Sequence, residues 1–403
     1  MERLILKRPK YKNSGFWLVV ILLLYHSFFS TSLLPHLIGL TSLTVLVALN
    51  FILIALLLVF YNRSFKAWAI ILSIITLVFT SFKVLNFGEI MFYKVNIYLI
   101  LTFLILSIVK NNEIVKFIEI ASKILLVILI GAIIAIILFQ IGLPAIFSYL
   151  APNGRMQYFY YTSFGHPSGV TLRPSGIFDE PGTLSFMLAG ILTLRHIFNL
   201  NQKRTLLLLF LGFSSLSLAY TVFAALFVFS LNLKSKDKKN TIIFIISFFL
   251  IAIFTGFLSI FEMAVLGRVS IDQNSIQVTG GRQTLMETAQ YNLASTKESY
   301  LWGVEPYCTI INEKCLEKGY MGENPLAPIA YHGIFIAWPY YLFLILSVFI
   351  SLKGRKYVVY LALMSIFLQR PYLLNYGVCL LGILPIYLYF NNKNLIQYKS
   401  NVN

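Results

Sequence analysis

Long apolar runs separated by short basic stretches dominate this chain. A run as long as a bilayer is wide leaves few folds open to it. Twelve runs can be drawn, at roughly 16–34, 40–60, 67–84, 95–109, 124–150, 183–198, 205–218, 219–233, 241–261, 326–350, 357–369 and 372–390. Residues are 58% hydrophobic and 12% charged, and mean hydropathy is +0.80. A water-soluble core has no use for so much apolar surface. The pattern predicts an all-α polytopic membrane protein of about twelve transmembrane helices, with 1–403 as a single integral membrane domain. The basic start MERLILKRPKYK followed by an apolar run has the layout of a signal peptide. No small-residue cleavage site follows, and Phe16–Leu34 is long enough to span, so it reads as a retained first helix.

The formal charge of +17 suggests nucleic acid until its placement is read. With the N-terminus inside, the inner segments are MERLILKRPKYK, NRSFK, KNNEIVKFIEIASK, NLNQKR, KSKDKKN, KGRK and the tail NNKNLIQYKS. With Arg195 they hold 22 of the 32 basic residues, which is the bias of cytoplasmic loops. On the bland reading they are solvated flanks that only set orientation. The run 205–233 decides the parity. One helix there would put KSKDKKN and KGRK outside. Two short helices broken near SSLSLAY keep both inside and leave both termini cytoplasmic. Broken helices at membrane depth border a cavity or partner helices.

Two outer segments then stand out, 151–182 and 262–325. They hold 10 of the 15 acidic residues. Carboxylates contribute little to orientation, so the clustering marks either solvated loops or an outward-facing site. In GGRQTLMETAQYNLASTKES, Leu285, Ala289 and Leu293 recur every four residues. That is the stripe of a short amphipathic helix starting after Gly280-Gly281 and ending before Gly303. No internal repeat relates the two halves, as it would in a transporter built of two matching halves.

Several chemistries lack support. There is no glycine-rich phosphate loop, no HExxH and no GxSxG, so ATP hydrolysis and zinc proteolysis find no motif. The histidines, at 26, 36, 166, 196 and 332, are scattered, and no metal or cofactor is expected. Cys379 lies in the last run as a buried apolar residue. Cys308 and Cys315 are either a disulfide or two free thiols.

Ionisable residues at membrane depth are functional candidates by default. Arg155, Arg173, Arg268, Arg282 and Arg370 all fall on the outer side. Guanidinium groups bind phosphate in a bidentate fork and stay charged. As a set they suit a lipid pyrophosphate; singly, each has the alternative of pairing with a carboxylate, such as Arg173 with Asp179 or Glu180. Glu180 and Glu323 stand at the starts of runs, as helix caps or as general bases. His332 lies about two turns into the tenth run, as a packing residue or a base. The aromatics Tyr158, Phe159, Tyr160, Tyr161, Trp302 and Tyr307 form an interfacial belt or a surface on which sugars stack.

The stretch Arg173-Pro-Ser-Gly176-Ile-Phe178-Asp-Glu180-Pro181 resembles the R-x-x-G-x-F-x-x-P signature of O-antigen and capsule polymerases and ligases. In the second outer segment, Gly281-Arg282 opening a helix, Trp302-Gly303-Val304, and Glu323-Asn324-Pro-Leu326 with Gly333 resemble that superfamily's later motifs. Ligases usually carry histidine where this chain has Glu323, which favours the Wzy-type polymerase branch. The resemblance implies a GT-C-like glycosyltransferase of the cytoplasmic membrane, acting on its outer face. Its substrates would be oligosaccharide repeat units on undecaprenyl pyrophosphate, both donor and acceptor, with a chain-length regulator as partner and no nucleic acid. Arg173 and Arg282 would bind pyrophosphate, with Arg155, Arg268 and Arg370 in second rank, and Glu180, Glu323 or His332 would act as base. The alternatives are a ligase, a lipid-linked oligosaccharide flippase and a purely structural membrane subunit.

Overall fold

The computed structural model describes residues 14–39, 43–87, 91–150, 156–168, 171–234, 269–272, 275–278, 282–295, 297–303, 324–369 and 377–391. It is mostly helical. Helix α1 (Ser14–Leu24) continues through a π-helical turn, Tyr25–Phe29, to the short α2 (Leu34–Leu37). Then come α3 (Leu43–Tyr61), α4 (Ala67–Phe87), α5 (Met91–Ile108) and the long α6 (Asn111–Gln140). Four strands follow: β1 (Phe147–Leu150), β2 (Met156–Tyr160), β3 (Ser163–Ser168) and β4 (Thr171–Gly176). Next are α7 (Pro181–Ile197), α8 (Gln202–Leu211) and α9 (Leu218–Lys234). A hairpin of β5 (Val269–Asp272) and β6 (Ser275–Val278) precedes α10 (Arg282–Ser295) and α11 (Lys297–Trp302). The chain closes with α12 (Ala327–His332), α13 (Ile334–Ser351), α14 (Val359–Gln369) and α15 (Cys379–Asn391).

Among the described residues, four helices are long and apolar enough to cross a membrane: Thr44–Tyr61, Ala67–Leu85, Asn111–Gln140 and Ile334–Ser351. Shorter apolar helices pack among them. The expected break near SSLSLAY is present. Gly212–Ser215 tightens into a 3-10 turn and Leu216 takes a left-handed φ of 48°, so α8 and α9 are separate helices. Tyr220 Oη donates to Leu209 O at 2.7 Å across the break. The run 241–261 and residues 372–376 of the last run lie outside the described residues.

Three expectations need correction. The fifth run is helical from Asn111 to Gln140, not from 124 to 150. Its first turns are built from KNNEIVKFIEIASK, and Glu113 reaches back to the Lys110 backbone at 2.8 Å. The described residues between 147 and 176 are not a loop within an all-α protein: Phe147–Leu150, Met156–Tyr160, Ser163–Ser168 and Thr171–Gly176 form an antiparallel sheet in the order β1-β2-β3-β4. FSYL and MQYFY are rich in aromatic side chains, which favour a pleated, half-buried surface. Pro174 is accommodated because the β3–β4 register shifts at Phe164/Gly165, opposite it. Finally, Arg195 is no solvated flank. It is buried, and its guanidinium donates to Thr205 Oγ1, Ser122 Oγ and the Asn201 carbonyl, each at 3.0 Å.

The two halves of α6 carry different partners. Its N-terminal half holds the Arg63–Glu113 ion pair and the Ser122–Arg195 bond. Its C-terminal half carries the sheet: Thr162 Oγ1 donates to Gly131 O at 2.7 Å, and Tyr160 and Leu172 pack on Ala135. Helix α7 is the buried centre of the bundle. All its residues but Ile197 are buried, with α6, α8, α9, α14, α15 and β4 around it. The chain enters that central helix directly from β4.

Candidate functional site

The passage from β4 to α7 is the RPSGIFDEP stretch, and each of its special residues has a local cause. Gly176 has φ +69°, and a Cβ there would run into Ile128 Cγ2 of α6. Only glycine fits so close a left-handed turn. Ser163 Oγ accepts from Gly176 N at 3.0 Å, and Ser175 O accepts from Phe178 N at 3.1 Å. Phe178 is fully buried, its ring 6.4 Å from that of Phe28, and it bridges to Ser32. Leu33 N donates to Ile177 O at 2.8 Å, which ties the segment between α1 and α2 to the signature. Glu180, buried, is the extended N-cap residue of α7, and Pro181 takes the first helical position. Glu180 thus stands at the helix start as expected, although its side chain makes no capping bond. Thr183 Oγ1 instead donates to Asp179 Oδ1 at 3.0 Å, one turn across the helix start.

On the sheet, three polar residues form a row. His166 of β3 pairs with Arg173 of β4 in the register, and Gln157 of β2 lies beyond His166. Gln157 Nε2 donates to the Asp179 carbonyl and lies 3.0 Å from His166 Nε2. An amide nitrogen only donates, so the facing ring nitrogen accepts, and the neutral ring carries its proton on Nδ1. Arg173, half-buried, thus sits in a row that Gln157 fastens to the residue before Glu180. The positive end of the α7 dipole lies at the same corner. Arg173 and the helix N-terminus supply positive potential at a corner that also holds the carboxylates of Asp179 and Glu180.

A second corner is built by the later motifs. Gly303 (φ +75°) and Gly333 (φ +71°) cross so closely that a Cβ on Gly303 would lie 2.5 Å from Tyr331 O. One on Gly333 would strike the Leu301 carbonyl. Lys83, fully buried near the end of α4, donates Nζ to the carbonyls of Trp302 and Tyr331, the latter at 2.8 Å. The rings of Phe79, Trp302 and Phe335 seal the corner, with Trp302 and Phe335 4.9 Å apart. Asn324 Oδ1 accepts from Leu326 N at 2.9 Å and Ala327 N at 3.1 Å, which starts α12. Ala289 and Leu293 are buried against Ala327, Ala330 and Tyr331, so these two members of the expected stripe face the bundle; the side chain of Leu285 is not described.

His332 is the last residue of α12. It does not stand two turns inside the long run, because Gly333 turns the chain and α13 starts afresh at Ile334. It is buried, and its Nδ1 has no hydrogen-bond partner among the described residues. That sets it apart from a satisfied packing histidine.

The structure therefore groups Arg173 and Glu180 at the first corner and seats His332 at the second. Arg282 is the first residue of α10, and its side chain is not described. Arg155, Arg268, Arg370 and Glu323, with Cys308 and Cys315, lie outside the described residues. Helices α7 and α13, which leave the two corners, meet through Phe367 of α14. Its ring is 4.4 Å from Phe186 and 4.3 Å from Phe343. Sequence reasoning missed Gln157, His166 and Lys83. The signal for Lys83 was a lone lysine in an otherwise apolar run. Cys379 is buried as expected but is not purely apolar in its contacts, since it lies 2.9 Å from Thr102 Oγ1. Comparison of the chain with protein-family models, curated proteins and solved structures finds no match.

Proposed function

We propose that the chain is a membrane glycosyltransferase of the GT-C-like kind, a repeat-unit polymerase of the Wzy type on the outer face of the cytoplasmic membrane. The observation that carries the reading is the first corner. There the R-x-x-G-x-F-x-x-P stretch carries Arg173, paired across the strands with His166, and leads into the N-terminus of the buried central helix. In the proposed reaction a sugar hydroxyl of a new lipid-linked unit attacks the anomeric carbon of the growing chain. The bond from that carbon to undecaprenyl pyrophosphate breaks, and the electron pair leaves with the pyrophosphate. Arg173 and Arg282 hold the departing charge, and the helix dipole adds to them. The hydroxyl proton passes to a carboxylate or imidazole: Glu180, Glu323 or His332. His332 is kept among them because its Nδ1 has no hydrogen-bond partner among the described residues. The donor is already activated, so no nucleotide or metal enters the scheme.

Analysis of lipid-linked glycans in cells lacking the gene tests this. Accumulation of lipid capped with a single repeat unit is the expected result. Polymer left on the carrier lipid would make the chain a ligase. Repeat units trapped on the inner face would make it a flippase.

A further inference from the structure

Pro339 lies inside α13 and Pro385 inside α15. A proline within a helix removes one backbone hydrogen bond and bends the helix away from its neighbour. Between these two helices and the ends of α4 and α5 a cleft of about 320 Å³ opens. That volume lies at the small end of ligand cavities, roughly 300–1,000 Å³. Its walls are apolar, with Trp68 from α4, Phe103 from α5, Trp338 and Leu346 from α13, and Ile386 from α15. The length from Trp338 to Leu346 corresponds to about 12 Å of helix. It is a slot for part of a chain of methylenes.

One end of the slot is polar. Tyr387 and Asn391 line it. The exposed Lys66 donates Nζ to Tyr387 Oη at 3.2 Å and lies 5.7 Å from the centre of that ring, which in turn sits 5.6 Å from the ring of Trp68. The ammonium has three donors, and this bond uses one. Lys66 follows Arg63 in the NRSFK segment, at the end of the helices where most basic residues gather. A dry slot under an exposed cation matches an amphiphile with an apolar tail and a negative head.

We propose that this cleft binds one acyl chain of an anionic phospholipid, with the headgroup phosphate held at the mouth by Lys66. A zwitterionic lipid brings its own cation to the same place and gains less from the lysine. One such lysine near a membrane surface corresponds to about a fivefold preference for the anionic lipid. The proposal stands apart from the reaction above, because it uses none of the residues at either corner.

Trp68 and Trp338 report on the site directly. A W17F/W302F chain leaves only these two tryptophans, and it is titrated in detergent micelles with brominated phosphatidylglycerol and brominated phosphatidylcholine. Saturable quenching is expected, at about fivefold lower concentration for phosphatidylglycerol. Lys66→Gln should bring the two lipids level, and Leu346→Phe should remove saturation for both. Native mass spectrometry of the unaltered chain with the same lipids repeats the comparison without the tryptophan changes. Quenching that rises without saturation overturns the proposal. So does equal affinity for the two lipids in the chain with Lys66, or a concentration-dependent dimer that closes the cleft.

Discussion

Two corners of this molecule turn on a left-handed glycine beside a basic residue, and they are closed by different means. At Gly176 the turn is closed by backbone bonds, by Ser163, by the fit against Ile128 and by the burial of Phe178. Arg173 stands next to that closure. At Gly303 and Gly333 the cation is itself the closure, because Lys83 holds the carbonyls on either side of the crossing. A charge buried near lipid is thus not one kind of signal. Lys83 bonds the crossing itself, while the turn at Gly176 is closed by backbone bonds and packing beside Arg173.

Substitutions should separate the two cases. Lys83→Met should have the largest effect on stability, about 2–4 kcal/mol, because it leaves two buried carbonyls without a donor. Unfolding in detergent against denaturant would measure it, and Lys83→Arg should recover part of the loss. A Lys83→Met chain as stable as the parent would erase the distinction between the corners. Gly333→Ala should cost about 1–3 kcal/mol through left-handed strain, with more from collision with the Leu301 backbone. Gly176→Ala should cost less, about 1–2 kcal/mol. Its neighbour at Ile128 is a side chain that can shift, so Ile128→Ala in the same chain should restore part of the loss, as a coupled pair does. Additive losses at 128 and 176 would place the strain elsewhere. The smallest effect is expected at Arg173. Arg173→Ala should cost about 1 kcal/mol or less, since the backbone bonds that close the Gly176 turn do not run through its side chain.

Much of the helical frame was legible because apolar length and basic flanks are dictated by the bilayer. The break in 205–233 was found from parity alone, and Leu216 now supplies its geometry. The stripe of Ala289 and Leu293 was found from a spacing of four. The sheet was missed for a physical reason. Its strands are short, and SFGHPS and TLRPSG carry prolines and glycines that read as loop. Its aromatics fit an interfacial belt equally well. Phe147, Phe159 and Phe164 in fact pack on one another, with ring centres 4.9 to 5.9 Å apart. Arg173 and Glu180 were visible because charge is rare in such a chain. Gln157 and His166 became visible only when the strands aligned them with Arg173, since cross-strand neighbours are nine and seven residues apart in sequence. Arg195 was misread because a basic residue near a helix end usually faces water, whereas here three polar groups from two other segments and a neighbouring helix enclose it.

The central claim is that Arg173 serves chemistry. It is tested by expressing Arg173→Ala and Arg173→Lys in cells lacking the parent gene, with thermal stability of each purified chain measured alongside. The account predicts folded chains, with lipid-linked glycans collapsed to single repeat units in Arg173→Ala and only partly lengthened in Arg173→Lys. Parental polymer length in a stable Arg173→Ala chain would contradict it.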